Sequence, residues 1–257
     1  MRKIWSLILI LSVTVNFFAV SCSENIKNNK TAKVVEEINE NEDPAVIKED
    51  ESKKDVDILN EIKNEEQIKE PKEINGFVLL KEMDKDFVID LRYATENNFT
   101  KQKVYPNDIC VLRKDTALKL VKANEEFKKL GYRIKIWDAY RPVYVQRIFW
   151  NIVKDSRFVA NPDNGGSIHN KGCAVDITLV DKDGKELVMP SSFDDFSEKA
   201  YRSNSNMNEE AKNNMQILTG IMLKSGFKVI DTEWWHFDDT DLGKYNIEDV
   251  DLNLFLN

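Results

Sequence analysis

Apolar positions fall along the chain in three regimes. Arg2 and Lys3 lead into an uncharged apolar run that ends in small residues and Cys22. From Ser23 to about Pro71, Lys, Glu, Asp and Asn dominate and no Phe, Tyr or Trp occurs. From Lys72 to Asn257 the apolar side chains recur with helical or strand spacing. There, "FVIDLRYAT" reads as a short strand running into a polar loop. "KDTALKLVKANEEFKKLGY" places Leu118, Val121, Phe127 and Leu130 on an amphipathic helix stopped by Gly131. "RIKIWDAY" alternates as a strand does, and Pro142 opens a helix in "VYVQRIFWNIV". After the Gly165–Gly166 loop comes the strand-like tail of "SIHNKGCAVDITLV", then a turn at "DKDG". "NEEAKNNMQILTGIMLKSG" puts Met215, Leu218, Ile221 and Met222 on one helix face, and "FKVI" and "TEWWHF" read as two strands. Helices and non-repeating strands in mixed order predict an α+β single domain, a mainly antiparallel sheet flanked by helices.

The first regime has the layout of a secretory signal, and "AVSC" resembles the cleavage box of a bacterial lipoprotein with Cys22 lipidated, although Ala19 stands where Leu is usual. A plainly secreted chain and a retained anchor helix are the alternatives. The expected organisation is residues 1–22 as lipoprotein signal, 23–71 as a charged flexible tether that cannot bury enough apolar area to order itself, and 72–257 as the folded domain. The net charge of −8 is spread through the chain, and no basic, aromatic-interleaved patch suggests nucleic acid. Cys110 and Cys173, both in apolar surroundings, read as buried free thiols.

The chain has two histidines. His169 precedes Asp176 by seven residues, and Glu233 precedes His236 by three. A catalytic zinc site needs three protein ligands, an open position for water and a base beside it. His169, Asp176 and His236 supply such a ligand set, with Glu233 left as the base. In a continuous strand Glu233 and His236 would point to opposite faces, so a bulge or strand end at Trp234–Trp235 is required. Spacing alone leaves a second reading open, in which each histidine is a partly buried side chain hydrogen-bonded to a nearby acid.

"SIHNKGCAVDITL" and "EWWHF" resemble the two zinc motifs, S-x-H-x(6)-D and E-x-W-H, of the D-alanyl-D-alanine dipeptidases, the family that includes the vancomycin-resistance D,D-dipeptidase. "LRYATENNFT", "IWDAYRP", "SSFDDF" and "SGFKVIDTEWWHF" follow in the family's order, so the resemblance spans most of Phe77 to Phe237. It implies one Zn²⁺ per chain, at the sheet, on His169, Asp176 and His236, with Glu233 as general base and Arg141 stabilising the tetrahedral oxyanion. It also implies substrate contacts at Ser167, Tyr93 and Asp194, the last as the acid that meets the ammonium of a dipeptide. Pro190 stands where the family tends to have Gly, which reshapes the loop carrying Asp194. The export signal points to a membrane-anchored enzyme at the cell surface or in the periplasm, held by lipid on Cys22 and acting on D-amino-acid dipeptides from peptidoglycan turnover. A D,D-carboxypeptidase acting on peptidoglycan stem peptides and a non-catalytic lipoprotein that captures wall peptides are the competing functions.

Overall fold

The structure, a computed structural model, describes residues 70–256. The signal, Cys22 and nearly all of the charged tether lie outside those residues. In chain order the described elements are β1 (Glu73–Ile74), β2 (Phe77–Leu79), α1 (Leu80–Met83), β3 (Val88–Ile89), β4 (Val111–Arg113), α2 (Lys114–Lys129), β5 (Arg133–Asp138), α3 (Val143–Ile152), β6 (Ala174–Val180), α4 (Glu209–Lys224), β7 (Phe227–Val229) and β8 (His236–Asp239), with short 3₁₀ turns between them. Among the described residues no helix is long and apolar enough to cross a membrane.

A five-stranded sheet in the order β3-β5-β6-β8-β7 organises the domain, and β1-β2-β4 form a smaller antiparallel sheet. Within the larger sheet β3 pairs parallel with β5 and every other pair is antiparallel. Every residue of central β6 is buried. Val175, Ile177 and Leu179 share one core with Leu120 and Phe127 of α2 and Leu218 and Met222 of α4. By the period-two alternation of a strand, Asp176 and Thr178 face the other side.

One irregularity sets the chemistry of that second side. Ile136 pairs with Ile177, but the next partners are Asp138 and Asp176, so Trp137 is the extra residue of a bulge in β5. The bulge brings Asp138 onto the face of Asp176, where an unbroken register would have set it opposite Val175.

Two predictions from periodicity need correction. The buried face of α2 is Thr116, Ala117, Leu120, Ala123, Asn124 and Phe127, while Leu118 and Leu130 are half exposed. Small and polar residues form much of the inner face: Asn124 accepts from Ile134 N–H at 2.8 Å and donates to Asp84 at 2.9 Å, so its polar ends are satisfied inside. The second correction is that "TEWWHF" is not one strand. Trp234 and Trp235 form a turn, and β8 starts at His236. Gly131 and Gly226 end α2 and α4 at φ of +81° and +94°, a region that favours glycine. Cys110 and Cys173 are free and buried.

Candidate metal centre

His169 sits in a single 3₁₀ turn, Ile168–Lys171, that leads into β6. Ser167 caps this turn: its hydroxyl oxygen accepts the His169 N–H at 3.3 Å, and Asn170 Oδ1 accepts the Ser167 N–H at 2.8 Å. His169 O also accepts the Arg141 N–H at 3.1 Å, which ties the turn to the end of β5. The turn is therefore fixed from both sides before it meets the sheet.

Asp176 and His236 are paired residues of β6 and β8. His169 Nε2 lies 3.2 Å from His236 Nδ1 and 3.4 Å from Asp176 Oδ1, and His236 Nδ1 lies 3.0 Å from the same oxygen. One ligand atom from each residue falls within 4.8 Å of the others, and all three side chains are buried. The outer ring nitrogens are also engaged. His169 Nδ1 faces Ala139 O at 2.7 Å, and His236 Nε2 faces Asp238 Oδ1 at 2.9 Å. A carbonyl and a carboxylate only accept, so both outer nitrogens donate, which leaves the inner nitrogens as the ones that would face a cation. Two imidazole nitrogens and one carboxylate oxygen on one small volume fit a borderline cation such as zinc, with one side left open.

The electrostatics follow from burial. Burial alone would raise Asp176, but His169 and His236 outweigh it and hold its carboxyl well below the usual range. Burial would lower His236, yet its hydrogen bonds to Asp176 and Asp238 push it up to about 10. A carboxylate held this low suits a site where a cation sits beside it.

The turn at Trp234–Trp235 resolves the facing problem in the sequence. Glu233 precedes it, His236 follows it, and His236 N–H donates to Glu233 O at 3.3 Å. Glu233 Oε2 then lies 3.8 Å from His236 Nδ1, on the metal side. Burial raises the Glu233 carboxyl above its ordinary value, against the pull of His236.

Arg141 is buried, and its guanidinium is clamped. Nε and Nη2 donate to Asp138 Oδ2 at 2.9 and 2.6 Å, and Nη1 donates to Gln146 Oε1 at 2.7 Å. Nη2 remains 3.9 Å from Asp176 Oδ2, and the group lies over the Phe149 ring at 4.8 Å. Asp138 is held in turn by Tyr105 O–H at 2.5 Å and Ala139 N–H at 2.9 Å.

His169, Asp176, His236, Glu233 and Arg141 line a cavity of about 260 Å³, together with Tyr93, Ser167 and Asp194. Tyr93 O–H donates to Asp194 Oδ1 at 2.9 Å, while Asp194 Oδ2 is buried with no partner. Asp194 adopts φ +60°, and burial pushes its carboxyl up to about 7. Thus His169, Asp176, His236, Glu233, Arg141, Ser167, Tyr93 and Asp194 all meet at one cavity. Sequence reasoning missed Asp138, Gln146 and Asp238. Asp138 precedes Arg141 by three residues and Asp238 follows His236 by two, but nothing in that spacing shows which acid turns inward.

The family described as D-ala-D-ala dipeptidase matches residues 73–253. The D-alanyl-D-alanine dipeptidase of Escherichia coli (strain K12) is 34% identical over 160 residues, covering 62% of this chain and 82% of that protein. The D-alanyl-D-alanine dipeptidase of Enterococcus faecium is 33% identical over 183 residues, covering 63% and 90%. Among solved structures, the LD-carboxypeptidase LdcB aligns with a TM-score of 0.37 at 19% identity, over 71% of this chain and 73% of that one. The vancomycin-resistance D,D-pentapeptidase VanY aligns at 0.35 and 14% identity, over 60% and 88%. These two scores are too low to bear on the chemistry.

Proposed function

The chain belongs to the D-ala-D-ala dipeptidase family, and from that premise we propose that it is a zinc peptidase that hydrolyses D-alanyl-D-alanine, or a similar D-amino-acid dipeptide, in cell-wall peptide turnover. The observation that carries this reading is the convergence of His169 Nε2, Asp176 Oδ1 and His236 Nδ1 beside Glu233 in one cavity. Zinc on these donors would supply a Lewis acid and lower the pKa of bound water to about 7.

The chain's own residues do the rest. Glu233 stands where it can take a proton from attacking water and return it to the amine nitrogen of the leaving amino acid. Arg141 cannot swing, because Asp138 and Gln146 hold three of its nitrogens; its charge is pre-aimed at the oxyanion that forms near Asp176. Asp194 meets the substrate ammonium with Oδ2, since Tyr93 occupies Oδ1. Ser167 accepts from the His169 N–H and keeps its own hydroxyl proton for the substrate.

The test is amino-acid release by the purified chain from D-Ala-D-Ala, L-Ala-L-Ala and a pentapeptide ending in D-Ala-D-Ala, each with chelator and with zinc restored. Chelator-sensitive, zinc-restored cleavage of D-Ala-D-Ala supports the reading. Cleavage of the pentapeptide alone makes the enzyme a D,D-carboxypeptidase, and turnover indifferent to chelator removes the metal from the chemistry.

The same proposal puts the enzyme outside the cytoplasm, tethered by lipid on Cys22. Its support is Arg2, Lys3, the apolar run and the small residues before Cys22. A Cys22→Ser chain that still sediments with membranes would overturn the tether.

A further inference from the structure

The sheet face that carries Asp176 continues to Thr178, two residues along β6. Next to it lies a second cavity of about 650 Å³, bounded by Arg92, Trp137, Thr178 and the loop that ends at Phe193 and Asp194. Phe99 and Asp194 line both this cavity and the catalytic one, so the two share a wall.

Among the described residues, four buried side-chain polar atoms lack a hydrogen-bond partner: Arg92 Nε, Trp137 Nε1, Thr178 Oγ1 and Asp194 Oδ2. All four belong to residues lining this second cavity. Trp137 is 3% exposed and Thr178 is fully buried. Buried polar groups are rarely left unpaired, and four at one cavity mark a place where a guest completes them. Arg92 Nε has an ionic contact with Asp90 at 3.2 Å, but not an aligned hydrogen bond. Arg92 Nη2 donates to Glu186 at 3.3 Å, and Asp90 and Glu186 also pair with Lys135 at 2.8 and 2.9 Å, so the two acids are shared between two cations and leave Arg92 Nε without an aligned acceptor.

The unpaired atoms specify the guest. Arg92 Nε–H and Trp137 Nε1–H only donate, Thr178 offers a hydroxyl, and Asp194 Oδ2 accepts when ionised. The cavity also has apolar wall from Leu187, Met189 and Phe193. A carboxylate, an ammonium and a small apolar side chain in one molecule meet all of these. We infer that the second cavity binds a free neutral amino acid, the class of molecule that dipeptide hydrolysis releases, and that this occupant competes with the dipeptide for Asp194. The competition rests on the proposed function, because it needs Asp194 to hold the substrate ammonium; Tyr93 already fills Oδ1, so one oxygen serves both ligands.

The test is calorimetric titration of D-alanine into the full-length, zinc-loaded chain, followed in parallel by tryptophan emission, since Trp137 and Trp234 line the cavity. Thr178→Val keeps the side-chain shape and removes the hydroxyl. Expected is saturable binding that weakens by about tenfold in Thr178→Val, the scale of a lost hydrogen bond to a charged group. D-Alanine should raise the apparent KM for D-Ala-D-Ala in the parent and do so less in the variant, with the KM in its absence unchanged. Binding of equal strength in both proteins puts the amino acid in the catalytic cavity and overturns the inference. Absence of saturable binding overturns it too, leaving a cavity filled by water. Should Thr178→Val not fold, Trp137→Phe removes a donor while keeping an aromatic ring and is judged by the same two outcomes. A parent chain that binds D-alanine but cleaves no dipeptide would sink the proposed function and leave the binding site standing.

Discussion

His169 and His236 stand 67 residues apart in sequence and bring ring nitrogens to 3.2 Å, each through a different nitrogen: Nε2 from the first, Nδ1 from the second. The mixed pairing follows from the outer partners, Ala139 O for one ring and Asp238 for the other. The chain should therefore take up one zinc per molecule. Zinc at about a hundredfold excess over its Kd should add about 2.7 kcal/mol of stability, read as a rise in Tm that chelator reverses. His236→Gln should lose both the bound ion and the zinc-dependent rise. Stoichiometric zinc in that variant would remove His236 from the ligand set.

Asp238 is not one of the three candidate ligands, yet its carboxylate, 2.9 Å from His236 Nε2, fixes which nitrogen of His236 turns inward. Outer partners of this kind are typically worth about 10–100-fold in metal affinity. Asp238→Ala should weaken zinc binding by that order in a chelator competition, and activity should return when zinc is raised. Loss of activity that added zinc does not restore would mean that Asp238 acts on the substrate instead.

Arg141 and Asp138 make separable predictions. Removing Arg141, as in Arg141→Ala, should cost about 10²–10³-fold in kcat with little change in bound zinc, the scale of one lost oxyanion partner. Removing Asp138 leaves a buried guanidinium short of its carboxylate, a change that costs about 3–5 kcal/mol in folding stability. Urea melts of Asp138→Ala should show that loss, whereas Arg141→Ala should be judged from kinetics per bound zinc. A kcat unaltered in Arg141→Ala would end the oxyanion role.

Much of this was legible in the sequence, for identifiable reasons. The ligands were candidates because histidine is scarce here and each copy has a nearby carboxylate, but spacing left a purely hydrogen-bonded role open and the family motifs decided between them; both glycine stops mark real helix ends. The turn at Trp234–Trp235 followed from strand geometry, because only a break before His236 lets Glu233 reach the same side. What stayed hidden depended on long-range register. Asp138 enters the site through a bulge at Trp137 that exists only once β5 meets β6. The inner face of α2 was misread for a related reason: Thr116, Ala117 and Asn124 are buried by their neighbours, not by their own hydrophobicity, while Leu118 is left outside.

Asp194 makes the pH dependence testable with a definite sign. Burial pushes its carboxyl up to about 7, so the folded chain keeps a proton through a range where the unfolded chain, with an ordinary value of 3.8, has lost it. Stability from this group is fully present below the unfolded pKa and falls as pH rises through the window toward the folded value. Asp194→Asn, which keeps an oxygen for the Tyr93 hydroxyl, should flatten that slope in melts taken across the window. Substrate binding has the opposite sense, because an ammonium pairs with the carboxylate and not with the neutral acid. In the parent, KM for D-Ala-D-Ala should climb as pH drops below about 7. In Asp194→Asn it should be high throughout and lack that step. A parent KM that stays level across this range, with the stability slope present, would show that Asp194 is a buried acid that never meets the ammonium.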